Sequence, residues 1–438
     1  MEGENNVELN KPTYIDLFAG CGGISLGLMN AGWKGLFAIE KSDMAFETLK
    51  HNLIEGHKIH YDWPEWLEKE THDICKFRVK FWRHLKKLSG KIDLIAGGPP
   101  CQGYSFAGKR SSDDERNELF KKYIGMVKCL RPKMILLENV EGITVPIQKD
   151  KENKERKPGR KSLPYSKKIE NSLKRLGYKV FSSLVDFDDY GVPQSRTRFI
   201  LIGFEVKTFG NIIENPFQRL KAIRDNFLRE KGLPIEKISI QDAISDLESD
   251  RFGKAPSPDS KGFCHGLIGE AESSFQKLMR KGLDDKNTMP DSHRLVNHTE
   301  DIIKRFTLIL KNCRRGVQIT SAERELYKTK KNCIVPADST EPSPTLTSLP
   351  DDLLHYSEPR VLTVREYARL QSFPDWFEFK SKYTTGGDRR KVECPRYTQV
   401  ANAVPPLFAE AIGDVLLNYI TQLVNSTCQN NAQIVKSV

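Results

Sequence analysis

Short apolar runs punctuate the first 205 residues, and the stretches between them space their apolar positions as helices do. Tyr14–Phe18, Gly35–Ile39, Ile92–Ala96, Met134–Leu137, Val180–Val185 and Phe199–Ile202 are read as buried strands. After the first, Ile24, Leu28 and Ala31 recur on one helical face. Continuous apolar strands alternating with helices predict a mostly parallel sheet covered on both sides. The expected fold class is α/β, doubly wound and Rossmann-like.

The pattern lapses twice. Gln148–Lys168 is polar and rich in lysine and arginine (Lys149, Lys151, Lys154, Arg156, Lys157, Arg160, Lys161), which predicts a solvated loop. Residues 206–357 show no strand–helix alternation. They hold a Pro/Ser stretch at Ala255–Ser260, a helix capped by Thr299 and carrying Ile302, Ile303 and Phe306, and a basic pair, Arg314-Arg315. Order returns at Arg360 and ends in an apolar helix, Phe408–Leu423. Two domains are therefore expected: 1–205, completed by 397–425, and a smaller irregular unit with its hinge over 206–396.

The 438 residues carry 69 Lys and Arg against 58 Asp and Glu, a net charge of +11 that favours a polyanionic partner. Nine cysteines without a CxxC pair exclude a disulfide framework and indicate a reducing, cytoplasmic setting. The start, Met1-Glu2-Gly3-Glu4-Asn5-Asn6, has no secretory character. No apolar run is read as approaching the roughly 20 residues that span a bilayer, so no membrane is expected. His57 and His60 lack a third ligand at metal-site spacing and are read as surface residues; no metal is expected.

Candidate chemistry centres on Gly97-Gly98-Pro99-Pro100-Cys101-Gln102, directly after a predicted strand. Free cysteine is commonly a core residue. Here two prolines fix the backbone around the thiol and two glycines admit a close ligand, which favours a nucleophile. Asp16-Leu17-Phe18-Ala19-Gly20-Cys21-Gly22-Gly23 joins the first strand to the first helix, where a ligand can approach the backbone. Glu40 closes the second strand, at the position where a doubly wound fold binds ribose hydroxyls. The chain lacks a spaced GxGxxG and a P-loop lysine, so an adenosine ligand without pyrophosphate fits best: S-adenosylmethionine. Phe18 could face its sulfonium, an attraction of roughly 0.5–2 kcal/mol. Glu138-Asn139 falls at a strand's carboxyl edge, as a ligand group or a helix cap. Alternation puts Gln194, Arg196 and Arg198 on one side of a strand, as substrate contacts or internal ion pairs.

Taken in order, these segments resemble the C5-cytosine DNA methyltransferase family. Asp16–Gly23 is similar to its first cofactor motif, Gly97–Ser105 to its nucleophile motif, and Glu138-Asn139-Val140 and Gln194–Arg198 to two further catalytic motifs. Arg360–Thr363, Arg365-Glu366 and Arg369–Pro374 resemble the motif that supports target recognition, and Gln399–Pro405 the last motif, which returns to the cofactor pocket. The resemblance covers about 13–420 and assigns 206–396 to target recognition and hinge. It departs at Ala401, where the family has glycine, and at Lys41, where an apolar or aromatic residue could stack on adenine. Asp73 is preferred to Asp62 as the acid near the adenine amino group.

The resemblance implies base flipping from duplex DNA, addition of the Cys101 thiolate to cytosine C6, and methyl transfer to C5 from S-adenosylmethionine. Glu138 would hold N3 and the exocyclic amine, Arg198 the base O2, and Arg196 would support the same pocket. Phe18, Ala19, Gly20, Gly22, Gly23, Glu40, Asp73, Pro100, Asn402 and Ala403 would bind the cofactor. Gln102, Ser105, Lys109, Arg110 and Arg116, in a loop closing over the base, and Arg314 and Arg315 would contact DNA. A monomeric prokaryotic or viral modification enzyme is implied, with any cognate restriction endonuclease acting separately and the DNA-bound protein in the nucleoid. A tRNA-directed branch of the family carries a Cys-Phe-Thr signature that this chain lacks. A DNA-binding pseudoenzyme has no need of Cys101, Glu138 and Arg198 together. Removing Arg314 and Arg315 is expected to weaken DNA binding and to flatten its dependence on salt; an unchanged slope of log K against log[salt] refutes phosphate contact by this pair.

Overall fold

The computed structural model describes residues 11–100, 117–146, 163–283 and 289–436. All six apolar runs form strands: β1 (Thr13–Leu17), β2 (Lys34–Ile39), β3 (Leu94–Gly97), β4 (Met134–Val140), β5 (Tyr178–Asp186) and β6 (Thr197–Glu205). They make one sheet in the order β2-β1-β3-β4-β6-β5. Strands β1 to β4 pair in parallel, as expected. Strand β6 lies between β4 and β5 and is antiparallel to both. Strand β4 also runs three residues further than the apolar pattern indicates, so Glu138 and Asn139 lie within it.

Helices α1 (Gly23–Asn30), α2 (Asp43–Leu49), α3 (Ile74–Lys80), α4 (Trp82–Leu88), α5 (Asn117–Leu130) and α6 (Tyr165–Arg175) cover the sheet. Alternation along the strands builds two cores. Tyr14, Ala96, Met134, Leu136 and Ile200 face α1 and the C-terminal helix Pro406–Lys436. Ile15, Leu17, Ile95, Ile135 and Leu137 face the aromatic and aliphatic side chains of α3, α4 and α5. One expectation is corrected here. The stretch Arg396–Ser426, with a mean hydropathy of 1.4 in its most apolar window, is long and apolar enough to span a bilayer. Most of that window, 78%, is buried within the protein, because the helix is shared between α1 and the helix Pro216–Glu230. Trp33 Nε1 anchors it by donating to the carbonyl of Gly413 (3.0 Å).

Packing does not break at residue 205. Phe209, Phe217, Leu220, Phe227, Ile240 and Leu247 join the same core as α1. A small separate core gathers Phe306, Ile309, Leu310, Ile319, Ile334 and Leu354 around the helix Glu300–Asn312. Thr299 is the N-cap of that helix, but its side chain makes no capping bond; Glu300 and Asp301 complement the helix dipole in the first turn.

The helix Val364–Leu370 is buried throughout, although it contains Arg365, Glu366 and Arg369. Thr363 and Glu366 close a capping box at its start. Glu366 takes two bonds from Arg360, at 2.7 and 2.8 Å. Arg369 forks onto Asp375 (2.6 Å to each oxygen) and onto Asp246 (3.1 and 3.2 Å). With Arg365, which reaches Asp291 (3.3 Å), these pairs tie segments around 246, 291 and 375 to one helix. Arg369→Met leaves buried Asp375 with only Arg365, at 3.8 Å, and buried Asp246 with only Arg280, and is expected to cost about 3–5 kcal/mol. Replacing all three partners by apolar residues of similar volume should recover most of that loss. Urea midpoints of the single and triple variants check both.

Candidate active site

The sheet's chain order reverses at β1, with β2 on one side and β3 on the other, so a crevice opens beyond their carboxyl ends. The turn after β1 enters this crevice with Phe18 at φ 63°, an uncommon left-handed conformation for a side chain of that size. Phe18 and Ala19 donate to the carbonyl of Ile39, at 2.8 and 3.1 Å, which draws the turn across to Glu40. The Glu40 carboxylate accepts from the backbone of Gly20 (2.9 Å), Lys41 (2.9 Å) and Ser42 (2.7 Å). Burial raises its pKa, and these three donors oppose the shift. An ionised carboxylate has about four acceptor sites, so one remains for a ligand hydroxyl.

The backbone N–H of His72 donates to the carbonyl of Glu40 (2.8 Å), bringing Asp73 to the same edge. Asp73 caps α3 through Cys75 N (2.8 Å) and pairs with Lys41 (3.1 Å). Asp62 instead pairs with Lys34, at the start of β2 and so at the opposite edge of the sheet. The last motif comes back to the start of α1. An added Cβ at Gly23 would lie 2.2 Å from the carbonyl oxygen of Val404, so glycine alone lets the two segments meet. Asn402 is exposed and Ala403 half-buried beside this contact, and Ala401 is buried in the helix Arg396–Asn402.

Glu138 projects into the crevice from β4. Because β6 is antiparallel, Arg198 stands opposite Val140, and its Nε lies 3.3 Å from Glu138 Oε1. Burial is the main influence on Glu138 and raises its pKa; Arg198, then Arg196, draw it back. An added Cβ at Gly98 would lie 3.1 Å from Glu138 Oε2, so that glycine keeps the carboxylate's approach clear. Asn139 Nδ2 donates to the carbonyl of Pro99 (2.9 Å) and fixes the backbone that leads into Pro100, which is exposed. Arg196 turns elsewhere, donating to the carbonyls of Ala401 (3.0 Å) and Ala403 (3.3 Å). It therefore joins the last motif to β6 and positions the site.

Cys101, Gln102, Ser105, Lys109, Arg110 and Arg116 lie outside the described residues, as does most of the basic stretch 148–168. Arg314 is exposed and distant in sequence from the crevice, on the segment that follows the helix Glu300–Asn312. Arg315 is half-buried, with one guanidinium nitrogen enclosed and without a hydrogen bond. His57 and His60 are exposed.

Three comparisons bear on this geometry. A family model described as C-5 cytosine-specific DNA methylase matches residues 13–418. The chain belongs to the C-5 cytosine-specific DNA methylase family. Among the relatives of this methylase is Type II methyltransferase M.DdeI of Desulfomicrobium norvegicum, 31% identical over 97% of this chain and 92% of the relative. Type II methyltransferase M1.HphI of Haemophilus parahaemolyticus is 29% identical over 93% and 87%. A crystal structure of a prophage-encoded E. coli protein, described as a DNA modification methyltransferase, aligns with a TM-score of 0.63 at 25% identity. That alignment covers 94% of this chain and all of the other.

Two residues lie within the motifs but were not among the expected site residues. Gln371 donates to the carbonyl of Val400 (2.8 Å) and accepts from Gln194 (2.9 Å), joining three motifs through one amide. Asp16 is fully buried beneath the Phe18 turn, where Ser25 donates to it (2.5 Å) and its other oxygen has no partner. A carboxylate inside an apolar strand was the available signal. Burial raises the Asp16 pKa from 3.8 to about 7. The group is protonated in both folded and unfolded chains at low pH. Between pH 4 and 7 only the unfolded chain ionises freely, so stability falls as pH rises, by about 1.4 kcal/mol per pH unit. Asp16→Asn is expected to remove that decline; urea midpoints across pH 4–8 with parallel curves for both proteins would refute it.

Proposed function

We propose that this methylase transfers a methyl group from S-adenosylmethionine to C5 of cytosine in a specific duplex sequence, as the modification partner of a restriction endonuclease. The Type II names of its relatives support the restriction–modification setting. The pairing of Glu138 with Arg198 beside Gly98 carries the reading. It sets a carboxyl of raised pKa and a guanidinium at the strand end that leads to Cys101.

Cytosine C5 is too weak a nucleophile to be alkylated directly. Addition of the Cys101 thiolate to C6 makes the ring an enamine and C5 electron-rich. Glu138, inclined to keep its proton, holds N3 protonated and accepts from the exocyclic amine while charge builds in the ring. Arg198 donates to O2 and steadies Glu138. Loss of the C5 proton then expels the thiolate. S-adenosylmethionine supplies an electrophilic methyl group on a sulfonium. The residues present fit it: the open edge beside Gly20, the remaining acceptor site of Glu40 for ribose hydroxyls, and Asp73 for the adenine amine. Phe18, Ala19, Gly22, Gly23, Pro100, Asn402 and Ala403 would complete this pocket.

We assign target recognition to the unit built on the separate core around Glu300–Asn312, rather than to all of 206–396, because 206–247, and with them Phe275, Met279, Ala337 and Leu346, pack in the core that covers one side of the sheet. Arg314 is then the better placed of the basic pair to meet phosphate. The protein would act as a monomer on chromosomal DNA in the cytoplasm.

Duplex DNA bearing 5-fluorocytosine at the target should form a denaturation-resistant adduct that depends on cofactor and is lost in Cys101→Ser, which should still bind duplex. Glu138→Gln is expected to lower turnover by about 10²–10⁴-fold. Turnover by Cys101→Ser, or an adduct on tRNA in place of duplex, overturns the reading. Bisulfite sequencing of DNA from expressing cells identifies the site.

A further inference from the structure

The stretch Ile74–Lys91, which holds α3 and α4, carries seven lysines and arginines and no acidic residue. Lys76, Arg78, Arg83, Lys86 and Lys87 are exposed, and among the described residues none of them forms an ion pair. Lys80 alone reaches acids, Glu68 and Glu70, at 3.5 and 3.7 Å. Helix α5 lies alongside: an added Cβ at Gly125 would be 3.8 Å from the Arg78 guanidinium carbon, and Gly90 donates to the carbonyl of Leu130 (2.8 Å). It adds Lys122 and Lys128, both exposed, while Lys121 pairs with Glu118 (2.5 Å). Trp82 and Val79 are 52% and 72% exposed among these cations.

An unneutralised face of this size costs folding energy through self-repulsion, which a polyanion relieves. Its position is equally informative. The face begins at the crevice, where Asp73 caps α3, and α5 opens directly after the segment that bears Cys101. From there α3 and α4 run about 20 Å, matching roughly six base pairs of duplex. Exposed apolar side chains between cations suit a sugar–phosphate edge, where deoxyribose alternates with phosphate.

We propose that the α3–α5 face is a second phosphate-binding surface, on which duplex DNA flanking the target lies while the cytosine is held in the crevice. This inference rests on the methylase reading given above. It assigns the face to affinity and search, since phosphate contacts carry no sequence information.

The test compares a short duplex ending about three base pairs from the target, too short to cover the roughly six base pairs that the face spans, with a duplex about two helical turns longer. The full chain is compared with a variant combining Lys76→Gln, Arg83→Gln, Lys86→Gln and Lys87→Gln. The unaltered protein should bind the long duplex at least tenfold more tightly, as extra phosphate contacts do. The variant should lose that advantage, and its salt slope on the long duplex should flatten by about 3. Methylation of the short duplex should be unchanged, and restoring the charges as Lys76→Arg, Lys86→Arg and Lys87→Arg with native Arg83 should restore the length advantage. Equal loss on both duplexes, or an unchanged length advantage, overturns the proposal. Loss of binding to phosphatidylserine vesicles with long-duplex binding intact also overturns it and gives the face to a membrane. Failure of the unaltered protein to methylate either duplex defeats the parent reading instead.

Discussion

The reversed direction of β6 is the constraint on which the site depends. Residues that precede a parallel strand lie at the amino edge of a sheet, far from a crevice at the carboxyl ends. Running against β4, β6 delivers its leading residues to the carboxyl edge, and the register Val140 opposite Arg198 sets the guanidinium beside Glu138. Carboxylate and guanidinium then share one partly dry environment. Burial favours the neutral form of the acid, and the cation limits that preference without abolishing it. A group balanced in this way can hold a proton on a substrate nitrogen, which neither a solvated glutamate nor a tight buried ion pair does well.

A second layer of polar contacts keeps that arrangement in place. Arg196 and Gln371 each donate to carbonyls around 400–403, and Gln194 donates to Gln371, so the lead-in to β6, the end of the helix Val364–Leu370 and the last motif are joined. That helix is in turn held by Arg360 with Glu366 and by Arg369 with two aspartates. Buried charges of this kind add little net stability over an apolar core, since desolvation offsets their attraction. What they supply is a single geometry, because each alternative packing strands an ion away from water. The chain thereby links the segments proposed to read DNA to those proposed to hold cofactor and base.

The surface charge divides along the same lines. Within the crevice, the described acids and bases are paired or bonded to backbone groups; on α3, α4 and α5, among the described residues, most cations form no ion pair. The net charge of +11 is therefore distributed unevenly, as expected where one region performs chemistry and another meets a polyanion.

Much of this was legible in the chain. Six apolar runs marked six strands, since strands buried on both faces must be apolar throughout. The glycine-rich turn, Glu40 and Glu138 stood out as candidates because ligands bind at the carboxyl ends of strands, where few packing demands compete. Other features were not legible, and each depends on a partner far away in sequence. The three further residues of β4 include polar Glu138 and Asn139, which interrupt the apolar pattern. The apolar C-terminal helix reads as a membrane span until α1 and Pro216–Glu230 are seen to enclose it. The sheet edges that Asp73 and Asp62 reach are likewise set by pairing with Lys41 and Lys34. Local composition and periodicity fixed what the segments are; only strand direction and long-range packing decided which of their side chains meet, because neither leaves a mark on neighbouring residues.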